Sequence, residues 1–247
     1  METKIAILSD IHGNLPALNA VIEDIYRNDI KMIINLGDCV YGPLWPQETA
    51  LAIQQYEMIS VRGNEDEIIF DKTLTDPTLD YVRKELTADS MEWLRSIPFN
   101  YDLEGILIAF HGSPSSNHNY LIEKFTNTPD HELQIKSSEE LELELKSISQ
   151  MIILCGHSHK PGYRTLSNGK HIINPGSIGL PAYFDEIPYP HKIENHDPSA
   201  HYTILEIEGH DIVFFIKVIH YVYQWAALKA RKNNREDWFV WLMTGKA

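Results

Sequence analysis

The chain has 247 residues, 43% of them hydrophobic and 23% charged, with a formal net charge of −14. That length buries a substantial core, in one large α/β domain or two small ones. The acidic balance excludes an extended surface for nucleic-acid backbones or anionic membranes, both of which need broad Lys/Arg patches, but leaves a short phosphorylated ligand compatible.

In chain order, residues 4–9 read as a buried strand, followed by a helix over 15–28 whose Leu18, Val21, Ile22 and Ile25 recur at helical spacing. A strand at 32–36 closes a βαβ unit. A helix over 47–56 behind the breaker Pro46, then a strand at 59–61, extends it to βαβαβ, a doubly wound α/β start. Residues 65–96 are helical in pattern, with turn signals at Asp76-Pro77 and Ala88-Asp89.

From Tyr101 the texture changes to strands at 101–103, 106–110, 151–155, 171–173, 202–208 and 212–221, the last two joined by a Gly209-His210-Asp211 turn. A second sheet built from these and packed on the first is the expected result. Residues 137–146 carry Leu141 and Leu145 on one face of an exposed helix. The C-terminal stretch 222–243, with Trp225, Leu228, Trp238, Phe239, Trp241 and Leu242, reads as core or edge cover, the alternative being a contact in a homo-oligomer. No linker or repeat interrupts the chain, so a single domain over 1–247 is expected.

The two cysteines, Cys39 and Cys155, read as small buried apolar residues rather than ligands or a disulfide. The first strand starts almost at Met1, which leaves no room for a cleavable signal segment. No apolar run approaches the roughly 20 residues that span a bilayer. A cytoplasmic protein is expected.

Five of the apolar runs are each followed directly by a short polar motif: Asp10-Ile-His12, Gly37-Asp38, Gly63-Asn64, His111-Gly112 and Gly156-His157-Ser158-His159. In α/β sheets the loops leaving the carboxyl ends of strands converge, so residues placed there can build one site. A lone Asp-x-His is as readily a turn as a ligand pair; a series of five is not. Carboxylates and imidazoles with one amide and no thiolate suit Mn, Fe, Co, Ni or Zn. Seven donors are too many for one catalytic ion. A pair of divalent ions roughly 3.5–4 Å apart and bridged by one carboxylate uses them all, and Asp38 is the natural bridge. Such a pair makes a bridging hydroxide near neutral pH and clamps phosphoryl oxygens, so the implied reaction is hydrolysis of a small phosphorylated substrate.

These motifs resemble the calcineurin-like metallophosphoesterases, whose signatures D-x-H, G-D, G-N-H-D/E, H and G-H-x-H run in the same order. Leu36-Gly-Asp-Cys-Val-Tyr-Gly-Pro-Leu44 and Asn174-Pro-Gly-Ser-Ile-Gly-Leu-Pro-Ala182 resemble a bacterial branch related to diadenosine tetraphosphatases and serine/threonine phosphatases. The resemblance implies a four-layer α/β/β/α sandwich of two mixed sheets. It implies one metal on Asp10, His12, Asp38 and His159 and a second on Asp38, Asn64, His111 and His157. Phosphodiesterase, dinucleoside-polyphosphate hydrolase, phosphomonoesterase and protein phosphatase share that site. A binding scaffold that kept the fold and lost catalysis, as in a retromer subunit, is the rival from another class.

The sequence departs from the family at Glu65, where a histidine usually stabilises the phosphoryl group or protonates the leaving oxygen. An ionised glutamate there has the wrong charge, so Glu65 either titrates high or points away; capping the helix that starts there, or loose metal contact, are the other readings. A catalytic Glu65 would weaken hydrolysis of esters with poor leaving groups. The phosphate-binding arginine of the protein phosphatases is replaced by Gly42, with Tyr41 beside it still free to line a pocket. Arg62 reads as a structural ion pair or a phosphate ligand. Asn174 and Ser177 read as shaping the turn beside the site. Residues 183–201 form a long loop fit for substrate contact, and its His191, His196 and His201 are a weaker candidate for an additional metal.

Overall fold

The computed structural model describes residues 3–128, 131–209 and 211–247. The chain opens with β1 (Thr3–Leu8), α1 (Leu15–Arg27), β2 (Met32–Asn35), α2 (Pro46–Gln55) and β3 (Ile59–Ser60), and β1 pairs with β2 and β2 with β3 in parallel. Asn14 caps α1 by accepting from the Ala17 N–H at 3.3 Å. The helices α3 (Asn64–Ile68), α4 (Pro77–Glu85) and α5 (Ala88–Ser96) follow, with Asp76 and Thr87 as caps where the turn signals lie.

The second half brings β4 (Asn100–Leu103), β5 (Leu107–Phe110), a hairpin of β6 (Glu123–Phe125) and β7 (Leu133–Ile135), then α6 (Ser138–Glu144), β8 (Ile152–Leu154), β9 (Pro161–Thr165) and β10 (His171–Pro175). A second hairpin, β11 (Ala182–Asp185) and β12 (His191–Glu194), precedes β13 (Ala200–Glu208), β14 (Asp211–Ile219), α7 (Tyr223–Lys232) and α8 (Glu236–Thr244). Two five-stranded mixed sheets result, ordered β14-β13-β1-β2-β3 and β4-β5-β8-β10-β9.

The sheets pack face to face through Ile5, Ile7, Ile34, Leu36 and Leu205 of one and Leu107, Ala109, Ile152, Leu154 and Ile173 of the other. Side chains of opposite parity point outward, because successive strand residues alternate faces. On the first sheet Ala6 and Leu8 meet α1, α2, α4 and α5 through Leu18, Val21, Ile53, Leu79, Val82 and Leu94. On the second, Ile108, Phe110, Ile153 and Ile172 meet Leu141 and Leu145 beside α6. This is the four-layer α/β/β/α sandwich.

Three details differ from the sequence reading. The strands β13 and β14 join the first sheet, not the second: β13 runs antiparallel to β1, with Leu205 opposite Ile5. The physical reason is burial on both faces. Tyr202 and Ile204 enter the helix-side core while Leu205 enters the inter-sheet core, and the position beside β1 is covered on both sides. Residues 183–201 are not one irregular loop, because β11 and β12 pair from Ala182–Glu194 to Asp185–His191. Ile106 and Met151, read as strand residues, lie outside β5 and β8 and are 45% exposed. The middle residue of the β13–β14 turn, His210, lies outside the described residues.

Candidate metal centre

The strands β1, β2, β3 of one sheet and β5, β8, β10 of the other all deliver their carboxyl ends to one crevice. Their exit loops are zipped together by the backbone. The N–H groups of Asp10, His12 and Gly156 donate to the carbonyls of Gly37, Asp38 and His111 at 3.0, 2.9 and 2.7 Å. Five of the seven sequence-derived positions, Asp10, His12, Asp38, His157 and His159, have positive φ between 51° and 68°. Non-glycine residues in that region cost about 1–3 kcal/mol each and persist only where the surroundings hold them. The left-handed bend turns the side chains on either side of Ile11 and of Ser158 towards the same point.

Asp10, His12 and His159 form one group able to hold a metal ion, and Asp38, His111 and His157 form another, the ligand atoms within each lying within 4.8 Å of one another. The groups adjoin through the carboxylates. Asp38 Oδ2 is 3.3 Å from His111 Nε2 and 3.8 Å from His12 Nε2, while Asp10 Oδ1 is 3.3 Å from His159 Nε2 and 4.0 Å from His111 Nε2. Asn64 joins the second group, its Oδ1 lying 2.9 Å from His111 Nε2. All seven sequence-derived positions are thus brought together.

The protonation pattern fits cations. The Nδ1–H groups of His12, His111 and His159 donate to the carbonyls of Tyr41, Leu36 and Leu180 at 2.9, 2.7 and 2.7 Å, and a carbonyl can only accept. With Nδ1 so committed, each ring turns its Nε2 into the crevice, the arrangement typical of metal-binding imidazoles. The Nε2 atoms of His12 and His159 stand 3.2 Å apart, a contact that needs a cation or a proton between them. Buried Asp10 Oδ1 accepts no hydrogen bond. Burial and neighbouring imidazoles push His12 down to about 4 and His157 to about 3, keeping both neutral. Burial also disfavours a charge on His111, yet the Asp38 carboxylate outweighs it and pushes this ring up to about 10. In the absence of metal, His111 is the group that offsets the carboxylates.

A set of polar side chains fixes the loops behind the ligands. The carboxylate of buried Asp66 accepts from the backbone N–H groups of Asp38, Cys39 and Gly63 at 3.0, 2.8 and 3.0 Å. Burial first, then the nearby Asp38, pushes Asp66 up to about 6. Asn174 donates to the Gly156 carbonyl at 2.9 Å, and the Ser177 hydroxyl donates to the Asp10 carbonyl at 2.9 Å, so both shape the site's turns as expected. Gly63 is required by close approach: a Cβ there would lie 2.1 Å from Asp38 Oδ1.

The crevice opens into a cleft of about 200 Å³ lined by His12, Asp38, Asn64, His157 and His159, together with Tyr41, Glu65, Leu180, Tyr183, Phe184, Asp185, Arg235, Trp238 and Trp241. Glu65 is half-buried, and its backbone N–H donates to Asp38 Oδ1 at 2.9 Å. Its Oε2 is buried without a partner, and burial followed by the Asp38 and Asp185 charges pushes its carboxyl well above the ordinary glutamate range. The helix start at this point is tied down by Asp66, so Glu65 is not its cap. Arg62 pairs with Glu67 at 3.7 Å and does not line the cleft. Aromatic rings wall the ligands: Trp238 lies 5.9 Å from His12, Tyr183 4.6 Å from His159, and Tyr120 4.7 Å from His157. Cys39 and Cys155 are buried free thiols beneath the site.

His191, His196 and His201 do not converge; His191 Nε2 instead meets the Tyr120 hydroxyl at 2.7 Å, and none of the three lines the cleft. The cleft residues of that segment are Tyr183, Phe184 and Asp185, which the sequence reading did not single out. Arg235, Trp238 and Trp241 likewise carry no sequence motif that marks them for chemistry. Nothing local marks these six, since only the packing of α8 on β11 brings them to the ligands.

The fold and the paired carboxylate–imidazole groups define a metal-dependent phosphoesterase. The sequence profile of the calcineurin-like phosphoesterase superfamily domain matches residues 3–210, and the chain belongs to that superfamily. An uncharacterised protein of Methanocaldococcus jannaschii is 31% identical over 205 residues, which cover 73% of this chain and 78% of that protein. A metallophosphoesterase from Sphaerobacter thermophilus shares the fold with a TM-score of 0.74 at 24% identity, over 98% of this chain and 99% of the other. Among the described residues no helix is long and apolar enough to cross a membrane.

Proposed function

We propose that the chain, as one catalytic unit over residues 1–247, hydrolyses a small phosphodiester or phosphoanhydride with two divalent ions bound in the crevice. The observation that carries this reading is the pair of facing Nε2 atoms of His12 and His159, 3.2 Å apart, next to an Asp38 Oδ2 that reaches both groups. Asp10, His12, Asp38 and His159 would hold one ion and Asp38, Asn64, His111 and His157 the other. Such ions supply Lewis acidity and a water activated near neutral pH; the donor set suits Mn, Fe, Co, Ni or Zn.

The protein's own part is to orient and enclose. The carbonyl partners of His12, His111 and His159 fix each ring so that only Nε2 faces inward. The rings of Trp238, Tyr183 and Tyr120 keep bulk water off the ligands' outer faces, which strengthens charge interactions inside. Glu65 lines the cleft where a histidine is usual, and we assign to it the preference for acidic leaving groups, which depart without a strong proton donor. A scaffold without catalysis would have no use for all seven donors. The buried free thiols of Cys39 and Cys155 fit a reducing compartment such as the cytoplasm.

The test is a panel of an activated diester, a phosphoanhydride and an alkyl monoester, run with Mn²⁺ on the wild type and Asp38→Asn. Hydrolysis of the first two that is lost in the variant supports the reading. Activity insensitive to Asp38→Asn, or confined to the alkyl monoester, overturns it.

A further inference from the structure

The cleft holds more aromatic surface than the metal centre uses. Trp238 is 2% exposed and packs against His12, Trp241 and the backbone of Gly42, where a Cβ would come within 2.8 Å of its ring. Tyr183 is likewise committed: its ring packs on His159 and its hydroxyl pairs with that of Tyr120 at 2.6 Å. Two rings remain. Phe184 on β11 is 44% exposed, and Trp241 on α8 is partly exposed, yet both line the same cleft as His12, Asp38 and Asn64. Exposed aromatic surface costs free energy unless something covers it.

Polar groups stand beside these rings. Arg235, the only Lys or Arg among the lining residues, uses three of its five N–H donors on Asp237 and Thr78, which leaves two. Asp185 uses Oδ1 to accept from the Ile187 N–H at 2.9 Å, which leaves Oδ2 without a bond to that partner. The cleft therefore offers ring faces, donors and an acceptor together. Its volume of about 200 Å³ falls below the ~300–1,000 Å³ of pockets that enclose drug-sized ligands, so it has room for one phosphoryl group and one ring rather than two rings.

We propose that Phe184 and Trp241 form a ring-binding subsite, with Arg235 and Asp185 at its rim, so that the phosphoester taken by the metal centre carries a flat aromatic ring. The subsite rests on the dinuclear reading for the position of the phosphoryl group. Its residues come from the β11–β12 hairpin and from α8, and α8 lies beyond the segment matched by the superfamily profile. The metal centre thereby supplies the reaction and the C-terminal helix the selection.

The test is calorimetric binding to the Mn²⁺-loaded protein of phenylphosphonate against methylphosphonate, and of adenosine 5′-monophosphate against ribose 5-phosphate. A stacking subsite gives the ring-bearing probe of at least one pair about a 10-fold advantage. Phe184→Ala, at an exposed ring, and Trp241→Ala, at a partly exposed one, should each erase most of that advantage while leaving methylphosphonate binding unchanged. A preference in both pairs assigns the subsite to any flat ring, and one confined to the second pair assigns it to a nucleobase. Equal binding within both pairs, or a preference that survives both variants, overturns the subsite while leaving the metal centre standing. Failure of every probe, inorganic phosphate included, overturns the metal-centre reading itself.

Discussion

Asp66 holds Asp38 by the backbone: the Asp38 N–H donates to the Asp66 carboxylate at 3.0 Å, and the same carboxylate takes the N–H groups of Cys39 and Gly63. One buried side chain thus ties the loop after β2 to the loop after β3. Asp38 inherits its placement from a residue that does not itself line the cleft.

Asp66→Asn keeps the shape but turns an amide N–H₂ towards backbone donors, so part of this clamp is lost. Metal affinity is expected to fall about 10–100-fold, the range for removing a partner that orients metal ligands. Calorimetric Mn²⁺ titration checks it, with thermal unfolding alongside. An unchanged affinity would show that the β2 and β3 loops are held without Asp66.

Gly63→Ala places a methyl where Asp38 Oδ1 now lies, 2.1 Å from the ideal Cβ. Displacing a bridging carboxylate by an ångström should lower kcat about 10²-fold. Steady-state kinetics on an activated diester read the effect, and far-ultraviolet circular dichroism confirms that the fold is retained. Full activity would mean that Asp38 does not bridge from its present rotamer.

Glu65→His restores the usual donor. It should raise turnover of an alkyl monoester by ~10-fold or more, within the 10²–10⁴-fold range of general acids, and change an activated diester little. Equal, unchanged rates on both substrates would remove Glu65 from any part in leaving-group selection.

Glu123 is 8% exposed, accepts from the Ser158 hydroxyl at 3.2 Å, and is pushed above the ordinary glutamate value of 4.5 by burial. A carboxyl whose folded pKa is raised contributes stability below its unfolded pKa, and that contribution is lost as pH rises through the folded value. Glu123→Gln removes the buried charge and keeps an acceptor for Ser158. The variant should be more stable than wild type at about pH 7.5 and lose that advantage by about pH 4. Urea unfolding across that range checks the sign, and a variant less stable at neutral pH contradicts it.

That the seven candidate positions would converge was legible in the sequence because each motif follows an apolar run, and in α/β architecture a strand end is a place in space. The strand-rich second half pointed to a second sheet packed on the first, while the four layers were expected from the family resemblance. The sheet membership of β13 was not legible, because periodicity reports burial on both faces and not which neighbour covers them. Trp238 read as cover, which its 2% exposure bears out. That it covers a ligand histidine, and that Arg235 and Trp241 reach the same cleft from α8, depends on contacts across nearly the whole chain that no local pattern encodes. The one sign at Gly42 was a missing side chain, and the space it leaves is the space Trp238 fills.

On the proposed reading, Asp38 is shared by two ions. Metal analysis of Mn²⁺-loaded, gel-filtered protein, combined with electron paramagnetic resonance for spin coupling, tests it most directly. Two coupled ions per chain are expected in the wild type, with loss of the coupled signal in Asp38→Asn. A single uncoupled ion in the wild type, or an unaltered coupled pair in Asp38→Asn, would contradict it.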